Sequence, residues 1–161
     1  MTAHPELSVS TPSPTDIVLT RQFRARRELV FAALTTPELL VRWFGARGWN
    51  LVECTVDLRL GGAWRFVSRG PDGEHMAQSG VYRHIDEPSV LSYTEVFDHQ
   101  SYPGHALVTH VLTEQTGTTT LSSTIRYPSP EARERVLRYP MARGVSDSYL
   151  RLDAVLADSG H

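Results

Sequence analysis

A single cysteine, Cys54, in 161 residues leaves no partner for an internal disulfide and too few thiolates for a cysteine-rich zinc site. Nowhere do about eighteen apolar residues run together, so no membrane-spanning helix is expected. Neither sign of charge dominates: 16 basic side chains stand against 18 acidic ones, a net charge of −2. That balance lacks the basic footprint of a partner for nucleic acid or anionic bilayers. The start of the chain has no basic stretch leading into an apolar run. It carries Pro5, Pro12 and Pro14 among Ser and Thr, reads as neither a signal nor a transit peptide, and is expected to be a flexible tail over 1–15. A reducing cytoplasm is the expected compartment.

Motifs of covalent and cofactor chemistry are missing too. There is no Gly-x-Ser-x-Gly elbow, and Cys54 falls mid-strand, away from any helix N-terminus that would favour a thiolate. His75, His84, His99, His105 and His110 show no metal-ligand spacing, and Gly61-Gly62 leads into a strand where a phosphate cradle needs a helix. No metal, cofactor or nucleotide is therefore expected.

What is present is enough for one folded unit over 16–158, followed by a short tail at 159–161; a domain near this size buries roughly 70% of its unfolded surface. Ile17, Leu19 and Phe23 mark a first strand within Asp16 to Ala25. Leu29, Val30, Ala33 and Leu34 recur at helical spacing, and Pro37 opens a second short helix through Phe44. From Trp49 the period changes to two. Val52, Cys54, Val56 and Leu58 fall on one face of a strand, with Glu53, Thr55 and Asp57 on the other. Turn signals then separate strands at Ala63 to Arg69, His75 to Asp86, Val90 to Phe97, His105 to Glu114 and Thr118 to Tyr127. Pro128 and Pro130 end the sheet, helical signals resume at Glu131, and Pro140 marks a joint. Met141, Val145, Tyr149, Leu152 and Leu156 then line one face of a helix of about sixteen residues.

The order β, α-α, six strands, α is an α+β pattern without βαβ units, which excludes a doubly wound parallel sheet. It predicts a helix-grip fold: a curved antiparallel sheet of about seven strands wrapped around a long C-terminal helix, with two short helices after strand one. Curvature leaves space between sheet and helix, the expected ligand cavity.

Particular residues strengthen this. Phe31-Ala32-Ala33-Leu34-Thr35-Thr36-Pro37-Glu38-Leu39-Leu40, Trp43-Phe44, and Val56-Asp57-Leu58-Arg59-Leu60-Gly61-Gly62-Ala63-Trp64-Arg65-Phe66 occur in order, followed by Gly80-Val81-Tyr82 and Leu91-Ser92-Tyr93-Thr94-Glu95. Together with the closing stretch from Met141 to Asp153, they resemble the START-like superfamily often called SRPBCC, in the branch homologous to the C-terminal domain of heat-shock ATPase activators. The resemblance spans Asp16 to Leu156. It implies a cavity that elsewhere in the superfamily holds lipids, sterols, polyketides and other apolar molecules. Tyr149 stands where relatives frequently carry Trp.

Candidate site residues follow. Trp43, Phe44, Trp64 and Phe66 offer apolar area and indole N–H groups, either to a ligand or simply to the core. Leu91, Tyr93, Glu95 and Phe97 share a strand face, which turns the Glu95 carboxyl inward, where desolvation would raise its pKa; the alternative is a rim residue or an arginine partner. His110 alternates with Val108 and Leu112 and would form an acid/base pair with Glu95 if the register allowed, or else sit as a satisfied core histidine. Met141, Val145 and Tyr149 face the same space from the helix. Asp57, Arg59, Gly61, Gly62 and Arg65 read as a turn with its own ion pair, outside the pocket.

The leading expectation is non-enzymatic binding of a hydrophobic or aromatic small molecule, lipid-like or polyketide-like. A cyclase- or hydrolase-like enzyme using Glu95 and His110 is the alternative, and a chaperone-interaction module a third reading. Monomer and homodimer both remain open, with no nucleic acid and no integral membrane association.

Overall fold

Eight strands pair into a single antiparallel sheet, and four helices complete the computed structural model, which describes residues 6–159. In chain order these are β1 (Ser8–Ser10), β2 (Asp16–Phe23), α1 (Arg27–Thr35), α2 (Pro37–Trp43), β3 (Asn50–Val56), β4 (Ala63–Arg69), β5 (His75–Asp86) and β6 (Val90–Phe97). β7 (Ala106–Gln115), β8 (Thr118–Arg126), α3 (Pro130–Leu137) and α4 (Met141–Ser159) follow. The sheet order is β1-β2-β8-β7-β6-β5-β4-β3. Consecutive hairpins from β3 to β8 lay down six strands, and β2 closes against the last of them.

The α+β helix-grip architecture is thus present, with eight strands where about seven were expected. The additional one, β1, arises inside the segment read as a flexible tail. Ser8, Val9 and Ser10 pair with Thr20, Leu19 and Val18, so part of that segment is ordered on the sheet edge. Residues 1–5 and 160–161 lie outside the described residues.

A second difference concerns β3. The expected inward face included Val52, but the ladder to β4 shifts register between Leu51 and Glu53. The bulge inserts one residue, so Leu51 is buried, Val52 is 48% exposed, and the inward series resumes at Cys54 and Val56. Uniform alternation cannot foresee an inserted residue.

Local chemistry explains the remaining boundaries. Pro37 opens α2 directly after the single joint residue Thr36. Ser129 caps α3, its hydroxyl accepting from Ala132 N–H at 3.1 Å, and Pro130 occupies the first turn. Thr116 and Gly117 both hold positive φ, 52° and 76°, between paired Gln115 and Thr118, the tight hairpin twist that joins β7 to β8. α4 runs 19 residues, longer than the apolar repeat alone indicated.

Curvature has an identifiable hinge at Gly80 in β5. A Cβ built there would stand 1.7 Å from the Thr94 carbonyl oxygen, so only glycine lets β5 bend this close to β6. Next to it, Val81 N–H donates to the Thr94 hydroxyl at 3.0 Å. The core lies on the concave side. Phe23, Phe31, Leu40, Leu91, Leu112, Leu121 and Leu152 are all but inaccessible there.

The long helix grips unevenly. Its second half contributes Ser148, Tyr149, Leu152, Val155 and Leu156 to the interior, whereas no residue from Met141 to Asp147 is fully buried. The first two turns of α4 pack more lightly, through the half-buried Met141 and Val145.

Candidate functional site on the concave face

Register determines which side chains meet on the concave face. One row across the sheet runs Tyr82, Tyr93, Val108, Ile125, Ile17; the next runs Leu91, His110, Ser123, Leu19. Trp64 pairs with Gly80, and Glu95 pairs with Ala106. The inward turn expected for Tyr93, Glu95 and His110 follows from this pairing.

Aromatic rings fill the β3–β4 end. Phe44 packs edge-on against Phe66 with centroids 5.1 Å apart, Trp64 lies 4.9 Å from Phe66 and 5.1 Å from Tyr93, and Trp43 lies 6.1 Å from Tyr149. The two indoles differ in their polar ends. Trp43 Nε1–H donates to the Ala33 carbonyl at 3.0 Å, which ties α2 to α1 and removes it as a handle for a ligand. Trp64 Nε1–H is buried and finds no acceptor among the described residues. Such an orphan donor costs about 1–3 kcal/mol unless something accepts from it.

Glu95 is the second unpartnered group. Glu95, like Tyr93, is half-buried on the concave face. Its carboxyl makes no hydrogen bond or ion pair among the described residues, and burial raises its pKa to about 7. Tyrosines share its surroundings. Burial raises Tyr93, Tyr102 and Tyr127, and the nearby Glu95 charge pushes all three further in the same direction. The Tyr102 hydroxyl is also buried without a partner.

His110 does not meet Glu95. Leu91 opposes His110 and Ala106 opposes Glu95, so four residues of β6, about 13 Å along the strand, separate them. The expected acid/base pair is therefore not formed. One ring nitrogen of His110, Nε2, lies 2.9 Å from the Tyr93 hydroxyl and the other, Nδ1, 2.6 Å from the Ser123 hydroxyl. Burial lowers its pKa to about 4, which keeps the ring neutral, donating through one nitrogen and accepting through the other. Tyr149, raised to about 12 mainly by burial, extends this polar chain through Ser123.

The other predicted positions divide. Met141 and Val145 are half-buried against the core, and Phe97 is half-buried at the end of β6. Asp57 and Arg59 form an exposed ion pair at 2.8 Å, and Arg65 reaches Asp98 at 3.0 Å, all clear of the concave side. Burial raises the Cys54 thiol to about 11, far from a nucleophilic thiolate. No cluster of three metal-ligating side chains occurs among the described residues. An open depression of about 320 Å³ lined by Gly104, His105, Leu107, Arg126, Tyr127 and Pro128 lies at the ends of β7 and β8, and Tyr127 is also one of the tyrosines that the Glu95 charge raises.

Three contributors escaped the sequence reading. Arg21 is buried, donates to both carboxylate oxygens of Asp153 on α4 at 2.8 and 2.6 Å, and stacks 4.7 Å above the Phe23 ring. The period-two series Ile17, Leu19, Arg21, Phe23 already placed it inward. Ser123 belongs to a similar series with Leu121 and Ile125. Gly80 stood in the sequence only as part of the Gly80-Val81-Tyr82 match, with nothing to indicate the close approach of β6 that requires a glycine there.

An open antiparallel sheet of eight strands with a long C-terminal helix on it defines a helix-grip domain. The family described as Activator of Hsp90 ATPase homolog 1-like protein matches residues 24–157, and the chain belongs to it. A protein from Rhodobacter sphaeroides is 35% identical, with a TM-score of 0.89 over 95% of this chain and 99% of that one. A Nitrosomonas europaea protein shares the fold at 24% identity and a TM-score of 0.82, covering 92% of this chain and 98% of its own. A Plasmodium falciparum structure, described as an HSP90 activator, is similar at 22% identity and a TM-score of 0.55 over 71% of this chain and 74% of that one. No curated protein sequence matches the chain. Among the described residues no helix is long and apolar enough to cross a membrane.

Proposed function

We propose that the protein binds a hydrophobic or aromatic small molecule, lipid-like or polyketide-like, on the concave side of the sheet, as a cytoplasmic carrier or sensor without turnover. The observation that carries this reading is Glu95: a half-buried carboxyl with no partner among the described residues, on the concave face of the sheet amid Tyr93, Tyr102 and Tyr127. Burial of the ligand's apolar body, worth about 25 cal/mol per Å², supplies affinity, and the few polar groups orient it. Trp64, Phe66, Tyr93, Phe97, Met141 and Val145 are the side chains best placed to touch it.

Catalysis has less support. A cyclase- or hydrolase-like step needs a second proton-transfer group beside Glu95, and the neutral His110 is engaged on both nitrogens about 13 Å away along the strand. Native mass spectrometry of the gently purified protein tests the binding reading. A co-purified apolar molecule, or stabilisation by members of a chemically diverse thermal-shift panel, is the expected result. No ligand in either experiment would refute it, and conversion of a ligand that disappears in Glu95→Gln would favour an enzyme.

The family description favours one further reading, contact with a chaperone. Saturable binding of the purified protein to purified Hsp90 in calorimetry would establish it; absence of binding at micromolar concentrations of both would refute it.

A further inference from the structure

The last two helices are held to the rest of the fold very unequally. In α3 only Ala132 is buried, and across residues 133–147 no side chain is fully buried. What this segment lays on the sheet is chiefly Val136 and Met141, half-buried over the cluster that contains Tyr102, Val108, Ile125 and Tyr127. Two arginines latch its rim. Arg133 donates to the Ser13 carbonyl and Arg135 to the Ser101 carbonyl, each at 2.5 Å.

The second half of α4 is clamped. Ser148 Oγ accepts from Gly45 N–H at 2.9 Å, Arg151 donates to the carbonyls of Trp49 and Arg42 at 3.1 and 3.3 Å, and Asp153 holds the buried Arg21. Tyr149, Leu152, Val155 and Leu156 are buried beside them. Between the loose and the clamped parts stands Gly144-Val145-Ser146, three residues poor at holding a helix. A Cβ on residue 144 would meet nothing closer than Ala46 Cβ at 3.5 Å, an ordinary contact, so packing does not demand this glycine. Its effect is to make this turn the weakest of α4. At the other end Pro128 and Pro130 flank the joint with β8 and contribute no N–H to brace it.

We propose that residues 130–143 form a lid that opens as one cooperative unit, swinging on residues 128–130 and breaking α4 at residues 144–146 while the second half of the helix stays docked. Opening gives up two rim hydrogen bonds and the contacts of a few half-buried side chains, so it costs a fraction of global unfolding. It uncovers Tyr102, Tyr127, Val108 and Ile125, the part of the concave side whose tyrosines sense the Glu95 charge. Resting on the ligand-binding reading above, this is the route by which an apolar molecule reaches that face. The opening itself needs no ligand.

Hydrogen exchange of the ligand-free, ¹⁵N-labelled full chain, followed by NMR at pH 7 in rising sub-denaturing urea, tests the lid. The helical amides of the lid should share one opening, with protection roughly tenfold or more below that of β2, β8 and the second half of α4. Their urea dependence should be weaker, because the opening exposes less surface than global unfolding. Val30→Ala removes a wholly buried side chain outside the lid. It should speed exchange in β2 and β8 by roughly tenfold or more and leave the lid amides unchanged, since Val30 stays packed in the open form. Gly144→Ala should slow the lid amides roughly threefold to fivefold. Equal protection in lid and strands, protection that falls off residue by residue without a shared opening, or a Val30→Ala variant that accelerates both regions alike overturns the lid. An unchanged lid rate in Gly144→Ala overturns the hinge. A lid found in a protein that takes up no ligand refutes the binding reading alone.

Discussion

Replacing Glu95 by glutamine isolates the energetic consequence of burying a carboxyl without a partner. In the folded protein the acid holds its proton up to about pH 7, whereas the unfolded chain releases it near 4.5. Between those values the folded state binds more protons than the unfolded state, so this group lowers stability progressively as pH rises from about 4.5 to 7, and the penalty is constant above that. A shift of this size corresponds to about 3 kcal/mol at pH 8, trimmed to about 2–3 because the half-buried carboxyl retains some water. Tyr93, Tyr102 and Tyr127 remain neutral throughout the window and add no slope of their own. Glutamine keeps the shape and cannot ionise. Urea unfolding of parent and Glu95→Gln at matched pH should therefore find the variant more stable by about 2–3 kcal/mol at pH 8, with the gap shrinking to under about 1 kcal/mol at pH 5. Comparing the two proteins at each pH cancels every other titration. An equal difference at both pH values would refute the buried-acid argument.

Four further outcomes follow from the structure. His110 has the opposite sign: its folded pKa is lowered to about 4 from 6.5, so it stabilises above pH 6.5 and that stability is lost as pH falls towards 4. His110→Gln should cost about 1–3 kcal/mol at pH 7 and less at pH 5, read by the same denaturation series. Asp153→Asn leaves the buried Arg21 guanidinium without its counter-ion and should cost about 2–4 kcal/mol in urea unfolding, kept moderate by the 38% exposure of the carboxylate. Gly80→Ala drives a Cβ into the Thr94 carbonyl, and its thermal unfolding should report a loss of more than about 3 kcal/mol. Thr116→Asn relieves a β-branched residue from positive φ in the β7–β8 hairpin and should raise stability by about 0.5–1 kcal/mol.

The periodicities that organise the chain were visible in advance because they arise from one-sided burial. Alternation from His75 to Asp86 and from Val90 to Phe97 matched β5 and β6 to the residue, and it turned Glu95 inward correctly. What alternation could not supply was phase between strands. Whether His110 would stand beside Glu95 depended on how β7 slides along β6, which long-range pairing decides. Val52 was misplaced because a bulge adds a residue without any mark in composition. Ser8–Ser10 looked like a tail because three small exposed residues between prolines bury nothing; only the waiting edge of β2 makes them a strand. The different fates of the indole N–H groups of Trp43 and Trp64 were equally illegible, since each depends on whether a distant segment brings an acceptor to it.

An open sheet of eight strands has two places at which another chain could continue it, and both are spoiled. At one end β1 offers only three residues before Pro12 and Pro14, which break the run of backbone donors. At the other, the Leu51–Glu53 bulge twists β3 out of the straight line that a neighbouring strand would follow. The same irregularities that defeat simple pattern reading thus work as stops, and they discourage growth of the ladder from one molecule into the next.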